Sequence, residues 1–165
     1  MTASSALLTL ADAIVYELNN PAPWAILGVN YTAWSLAFTA ARMNVPRFSL
    51  PQLSSLKVTV HPKDRVSTRA TRNIMQDMMR IDIGLQAQIP NDTNAVTDPY
   101  VILGEQIQGY FDLKRPLQQL PSVVCQGSSF GNNADAPWLN PRNEQDSLLY
   151  AGIVILTFAV MRPGA

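Results

Sequence analysis

The stretch Met79-Arg80-Ile81-Asp82-Ile83-Gly84-Leu85-Gln86-Ala87-Gln88-Ile89 decides the fold of this chain. Met79, Ile81, Ile83, Leu85, Ala87 and Ile89 share one parity, while Arg80, Asp82, Gly84, Gln86 and Gln88 share the other. Successive side chains of a strand point to opposite faces, whereas a helix would scatter both sets around its circumference. The stretch is therefore a β-strand with one apolar face, and such a face needs a second layer to cover it.

Working upstream, Leu56, Val58 and Val60 alternate with Lys57, Thr59 and His61, a half-buried strand closed by Pro62. Residues 62–73 between the two strands are polar and basic and read as a loop, so the pair is expected to form a long antiparallel hairpin with a charged tip. Residues 44–54, with Pro46 and Pro51, read as a connection. Trp34 to Arg42 also alternates, with Trp34, Leu36, Phe38 and Ala40 on one face, and is expected to be another strand. Residues 4–19 carry Leu7, Ala11, Ile14 and Leu18 at helical spacing, with Leu8 and Val15 beside them. Ser4 or Ser5 can cap that helix, and Asn19, Asn20, Pro21 and Pro23 end it.

Downstream, Asp98-Pro99 places a capping acid and a first-turn proline at the head of a second helix. Leu103, Ile107, Tyr110 and Phe111 line its inner face, and Gly104 and Gly109 each weaken it by about 1 kcal/mol relative to alanine. Pro116 bounds it. Residues 116–146, with prolines at 116, 121, 137 and 141, read as a long loop, with Leu120, Val123 and Val124 as a candidate short edge element. A loop of that length in a compact domain serves binding or assembly. Leu148 to Arg162 is a strand apolar on both faces: Ile153, Ile155, Ala159 and Met161 on one, Val154, Leu156, Phe158 and Val160 on the other. It must be central and doubly covered, or must meet another subunit with one face. The whole of 1–165 is thus expected to be one α+β domain. Its mainly antiparallel sheet has four to five strands, with two helices on one face, a long hairpin and a long loop.

The composition, 47% hydrophobic and 15% charged with 12 prolines, suits a subunit whose faces are covered by neighbours. Net charge is zero but unevenly placed. Between Arg42 and Arg80 lie eight of the 12 basic residues against two acids, Asp64 and Asp77, an excess of +6; the remainder, four bases against ten acids, carries −6. Such a molecule can pair with copies of itself or offer one charged rim to a partner. The single Cys125 rules out an intramolecular disulfide. No basic residue precedes the first apolar stretch, and Asp12 and Glu17 interrupt it, so it does not read as a signal peptide. The 14-residue apolar run from Leu148 to Met161 is too short for a bilayer, which needs roughly 20 residues. A protein made in a reducing compartment, with no membrane partner, is expected.

Gly127-Ser128-Ser129-Phe130-Gly131 matches G-x-S-x-G, but that motif works only on a strained strand-to-helix turn with its base arriving later in the chain. The flanks promise neither element, and the only histidine, His61, precedes the serine. His61 alone cannot build a transition-metal site, and Cys125 reads as a structural thiol. No carboxylate pair, phosphate loop or dinucleotide glycine pattern occurs. No catalytic residue, cofactor or metal is expected. Lys63, Arg65, Arg69 and Arg72 on the hairpin are the residues of interest. They can grip an acidic partner, line a DNA channel, or simply be solvated.

The order of these features resembles the small neck proteins of tailed bacteriophages, of the tail terminator and head–tail joining type. The strand Val58-Thr59-Val60-His61-Pro62-Lys63, the strand Met79-Arg80-Ile81-Asp82-Ile83-Gly84-Leu85-Gln86 and the terminal Leu156-Thr157-Phe158 carry the likeness, which spans residues 5–162. The segments 22–33 and 116–146 are longer than in a minimal member. The resemblance implies a structural virion protein, assembled in the host cytoplasm, forming a homohexameric ring. That ring caps the tail tube protein and faces the head connector and adaptor proteins, with genomic DNA in its channel. In that setting Ile81, Ile83, Leu85, Ile153, Ile155 and Phe158 would build the ring-forming strands, and Lys63, Arg65, Arg69 and Arg72 would contact neighbouring rings. A head completion or adaptor protein whose basic hairpin touches packaged DNA is the alternative, and a small hydrolase using Ser129 is the third.

Overall fold

A computed structural model describes residues 5–45, 47–90, 93–112, 115–132 and 149–164. Helix α1 (Ala6–Asn19) starts where the Ser5 hydroxyl accepts from the Leu8 amide, 3.4 Å, and ends where the Asn20 amide donates to Tyr16. It buries Leu10, Ala11, Ala13, Ile14 and Leu18 on one face. Strands β1 (Trp24–Ile26) and β2 (Val29–Tyr31) form a small separate hairpin. Its two turn residues, Leu27 and Gly28, both have positive φ, at 49° and 79°.

The main sheet contains β3 (Ala40–Arg42), β4 (Lys57–Thr71), β5 (Ile74–Gln88), β6 (Cys125–Asn132) and β7 (Leu149–Pro163), in the order β3-β4-β5-β7-β6. β3 runs parallel to β4 and every other neighbour is antiparallel, so the domain is α+β with a mixed, mainly antiparallel sheet. Helix α2 (Asn94–Asp112) joins α1 on one face, and both enter a single apolar cluster with Val58, Val60, Ile81, Ile83, Leu85, Val154, Leu156 and Phe158. The expectation of two helices covering one face of a mainly antiparallel sheet is therefore met.

Four elements differ from the sequence reading. Only Ala40–Arg42 of the expected strand 34–42 joins a ladder. Trp34, Leu36 and Phe38 do pack on the core, but no strand among the described residues pairs with them, so side chains satisfy the backbone instead. Gln106 accepts from the Ser35 amide at 3.0 Å, and the Asn19 side-chain amide both accepts from and donates to Ala40. Second, residues 62–71 are strand rather than loop: β4 continues past Pro62 with a bulge at Lys63, and only Arg72 and Asn73 turn. Both parities of 63–71 are largely polar, so hydrophobic periodicity is blind there and the long β5 supplies the pairing. Pro62 is tolerated because β3 has already ended and nothing needs its missing donor on that edge.

Third, α2 begins one turn before Asp98, leaving Pro99 inside it. The lost hydrogen bond falls on Ala95, in the exposed first turn, where it is cheap. Fourth, Cys125–Asn132, expected to be loop, is the edge strand β6, so the expected long loop keeps only its first part here. Residues 133–146 of that expected loop lie outside the described residues. Gly104 and Gly152 open the space that the Phe130 ring of β6 fills, and Gly109 admits Ile26. These glycines are there for the close approach of neighbours.

β7 lies between β5 and β6, and its two apolar faces have separate fates. Val154, Leu156 and Phe158 sit under the helices. Ile153 is buried and Ile155 half-buried on the opposite face, outside the main cluster. That second face also buries Thr59, Asp82 and Gln86, and a 3₁₀ turn at Leu50–Ser54 packs against β5.

Candidate interaction surface: a basic blade

Beyond the row Arg65–Met79–Phe158 the sheet narrows to three strands, β4, β5 and β7. The helices stop near this row. Asp112, the last residue of α2, accepts from the Ser128 hydroxyl at 2.6 Å, and Ser128 pairs with Leu156, two residues before Phe158. The part beyond, roughly residues 64–78 and 158–163, is a blade in which every β4 residue is exposed.

Period-two alternation sorts its side chains. Arg65, Ser67 and Arg69 of β4 fall on the helix-side face with Met75 and Asp77 of β5 and Val160 and Arg162 of β7. Asp77 is the centre of that face. Its carboxylate accepts from Ser67 Oγ at 2.5 Å, from Arg162 Nε at 2.8 Å and from Arg65 Nη2 at 2.5 Å. These partners, rather than the hydrophobic core, cover it. The Ser67 hydrogen bond, with Arg162 and Arg65 behind it, outweighs desolvation and holds the carboxyl at about 2, below its ordinary 3.8. The two guanidiniums it orients are 36% and 41% exposed. The opposite face mixes polar residues, Asp64, Thr68 and Gln76, with an apolar patch in which Val66 (54% exposed), Ile74 and Met161 (62%) flank the half-buried Met78 and Ala159. A shallow hollow at the tip is lined by Asn73, Ile74, Met161, Arg162 and Pro163.

The four basic residues singled out from the sequence are thus distributed unevenly. Arg65 is committed to Asp77, Arg69 continues its face one row further out, Lys63 occupies the bulge and Arg72 the turn. Lys63, Arg69 and Arg72 make no ion pair among the described residues. Arg162 and Asp77 are the site residues that sequence reasoning missed. Both were visible as residues, but only the antiparallel register of β5 and β7, which sets Met75 opposite Arg162, makes them neighbours.

The chemical candidates of the sequence lie elsewhere. Gly127–Gly131 is interior to β6, not on a strand-to-helix turn, and Ser129 is exposed. His61 Nδ1 lies 3.1 Å from the Met43 carbonyl at the inner end of β4. Burial pushes the Cys125 thiol up, and it donates to Gly127 O. Among the described residues no three His, Cys, Asp or Glu side chains gather as metal ligands, and no helix is long and apolar enough to cross a membrane.

A second polar cluster holds the helices together. Glu17, fully buried on α1, accepts from Tyr110 Oη at 2.5 Å, from Gln118 Nε2 at 2.9 Å and from the Gln118 amide. Burial, then the Glu17 hydrogen bond, raises the Tyr110 hydroxyl. Arg115 stacks 4.7 Å over the Tyr110 ring. No protein-family model matches the chain, and no curated protein matches its sequence.

Proposed function

We propose that this chain is a structural virion protein of a tailed bacteriophage, one subunit of a ring at the head–tail junction that closes the tail tube and joins it to the head connector, and that it performs no catalysis. The observation that carries the reading is the blade. Three strands reach past the covering helices, with Arg65, Arg69 and Arg162 on one face and exposed Val66, Ile74 and Met161 on the other, and such exposed apolar residues beside guanidiniums suit contact with another molecule. The motifs that carry the sequence resemblance fall on β4, β5 and β7. In this role Ile81, Ile83, Leu85 and Phe158 hold the subunit together, Ile153 and Ile155 stiffen the other face, and Lys63, Arg69 and Arg72 reach the adjoining rings. The tail tube protein and the head connector or adaptor are the partners, in the neck of a particle assembled in the host cytoplasm.

The three basic side chains without ion pairs also favour a second reading, a head completion or adaptor protein whose hairpin touches packaged DNA. Negative-stain images and native mass of the purified chain test the first. We expect closed rings of one copy number, six by the family resemblance, and labelling at the neck of particles. A monomer at every concentration, absent from particles, would refute it. Salt-dependent duplex binding with a slope of about −0.9 per phosphate contacted, lost on substituting Lys63, Arg69 and Arg72, would instead favour the adaptor.

A further inference from the structure

The blade is basic, and the same chain carries a complementary surface. α2 contains three acids and no base, Asp98, Glu105 and Asp112, and all three are exposed. They are spaced seven residues apart, so they drift only about 20° per interval and form one stripe with about 10.5 Å between members. Ile102, 48% exposed, lies between Asp98 and Glu105 in the same stripe. None of the three acids makes an ion pair among the described residues.

Within one chain the two surfaces cannot meet. Tyr100, near the start of α2, stacks on Tyr150 at 4.9 Å, and Gly104 lies against Phe130, which pairs with Val154. Asp112 at the end of the helix reaches Ser128, opposite Leu156. The helix therefore runs along β7 towards the blade and stops short of it. Six residues of β7, about 20 Å, separate Leu156 from Arg162, which lies in the row of Arg69. Acids and bases thus follow one another along a single axis, acidic stripe first and basic blade beyond, both on the helix side of the sheet.

We infer that the helix-side face of the blade, Arg65, Arg69 and Arg162 around Asp77, docks on the Asp98–Glu105–Asp112 stripe of a second copy of this chain. Arg65 and Arg69 lie about 13 Å apart along β4, within about 3 Å of the spacing of the acids, a difference that long arginine side chains absorb. Asp77 fixes two guanidiniums before docking, which lowers the ordering cost of the contact. Because the donor and acceptor surfaces are different, each copy offers a blade to one neighbour and a stripe to the other. Such a heterologous contact closes into a ring when the rotation between copies is regular. The inference rests on the ring reading above and names the interface that would build it.

The test uses the full chain in sedimentation velocity at low and high ionic strength. Arg69→Glu and Glu105→Lys, each at an exposed position, should weaken self-association roughly tenfold, and the wild type should weaken with added salt. Mixing the two single variants should restore association. Around an alternating ring the two reversed charges then face each other at one junction, and the native arginine and glutamate face each other at the next. The double variant should recover as well. If either variant loses its circular dichroism signature, Arg69→Gln and Glu105→Gln take its place, with a smaller loss in the same direction. Rings that form equally well in both single variants, or a mixture that fails to recover, would overturn this interface while leaving the ring itself intact. An Arg69→Glu that abolishes duplex binding yet leaves association untouched would likewise overturn it. Absence of any wild-type assembly would remove the ring reading itself.

Discussion

Single residues decide where this chain holds its charges. Glu17 lies on the buried face of α1, between Leu10 and Ala13, and its charge is kept there because three donors converge on it from α2 and from Gln118. Glu17→Ala should cost about 3 kcal/mol in denaturant unfolding, since it leaves buried donors without an acceptor; a loss under about 0.5 kcal/mol would contradict the arrangement. Asp77 gives a pH dependence with a definite sign. Its folded-state value, about 2, lies below the ordinary 3.8, so its contribution is fully present above about pH 4 and is lost as pH falls towards 2. The stability difference between the wild type and Asp77→Asn should therefore be flat above about pH 5 and shrink below about pH 4. A difference that stays constant through that window would mean the carboxylate is not the acceptor that ties β4 to β7. Neither role was legible in the sequence. Glu17 showed only as an interruption of an apolar stretch and Asp77 only as one acid among eight bases, because their partners are 93 and 101 residues away for Glu17 and 85 away for Asp77 and Arg162.

Elements were legible to the extent that their signal is local. α1, the inner face of α2, β5 and β7 could be read from apolar spacing, since each buries a continuous face and burial imposes the period of the backbone. The outer half of β4 and all of β6 could not. Their side chains are polar, small or exposed, so only the strand alongside tells them to be extended. The β1–β2 hairpin shows the same limit at a turn. A two-residue turn with positive φ at both positions favours Asn-Gly, and here the first residue is Leu27, 99% exposed at φ 49°. Leu27→Asn should raise stability by about 1 kcal/mol by relieving the left-handed leucine, read as a higher melting temperature. An unchanged or lower melting temperature would mean that the leucine is held there by a contact outside the isolated chain.

For the whole molecule, the helix-side layer positions the blade. Both helices cover the inner half of the sheet, and the long β4, β5 and β7 carry the pleat beyond it, so charge that is scattered over the chain collects on one projecting face. The α+β class, the single long hairpin and the segregation of +6 from −6 were determined by the sequence alone, because each depends on composition or on spacing within a short stretch. The parallel insertion of β3, the placing of β7 between β5 and β6, the closing of Asp77 by Arg162 and the common axis of acidic helix and basic blade were decided only in three dimensions. Strand order depends on which distant segments share hydrogen bonds, a choice that the local pattern of each strand leaves open even where it fixes which side chains face the core.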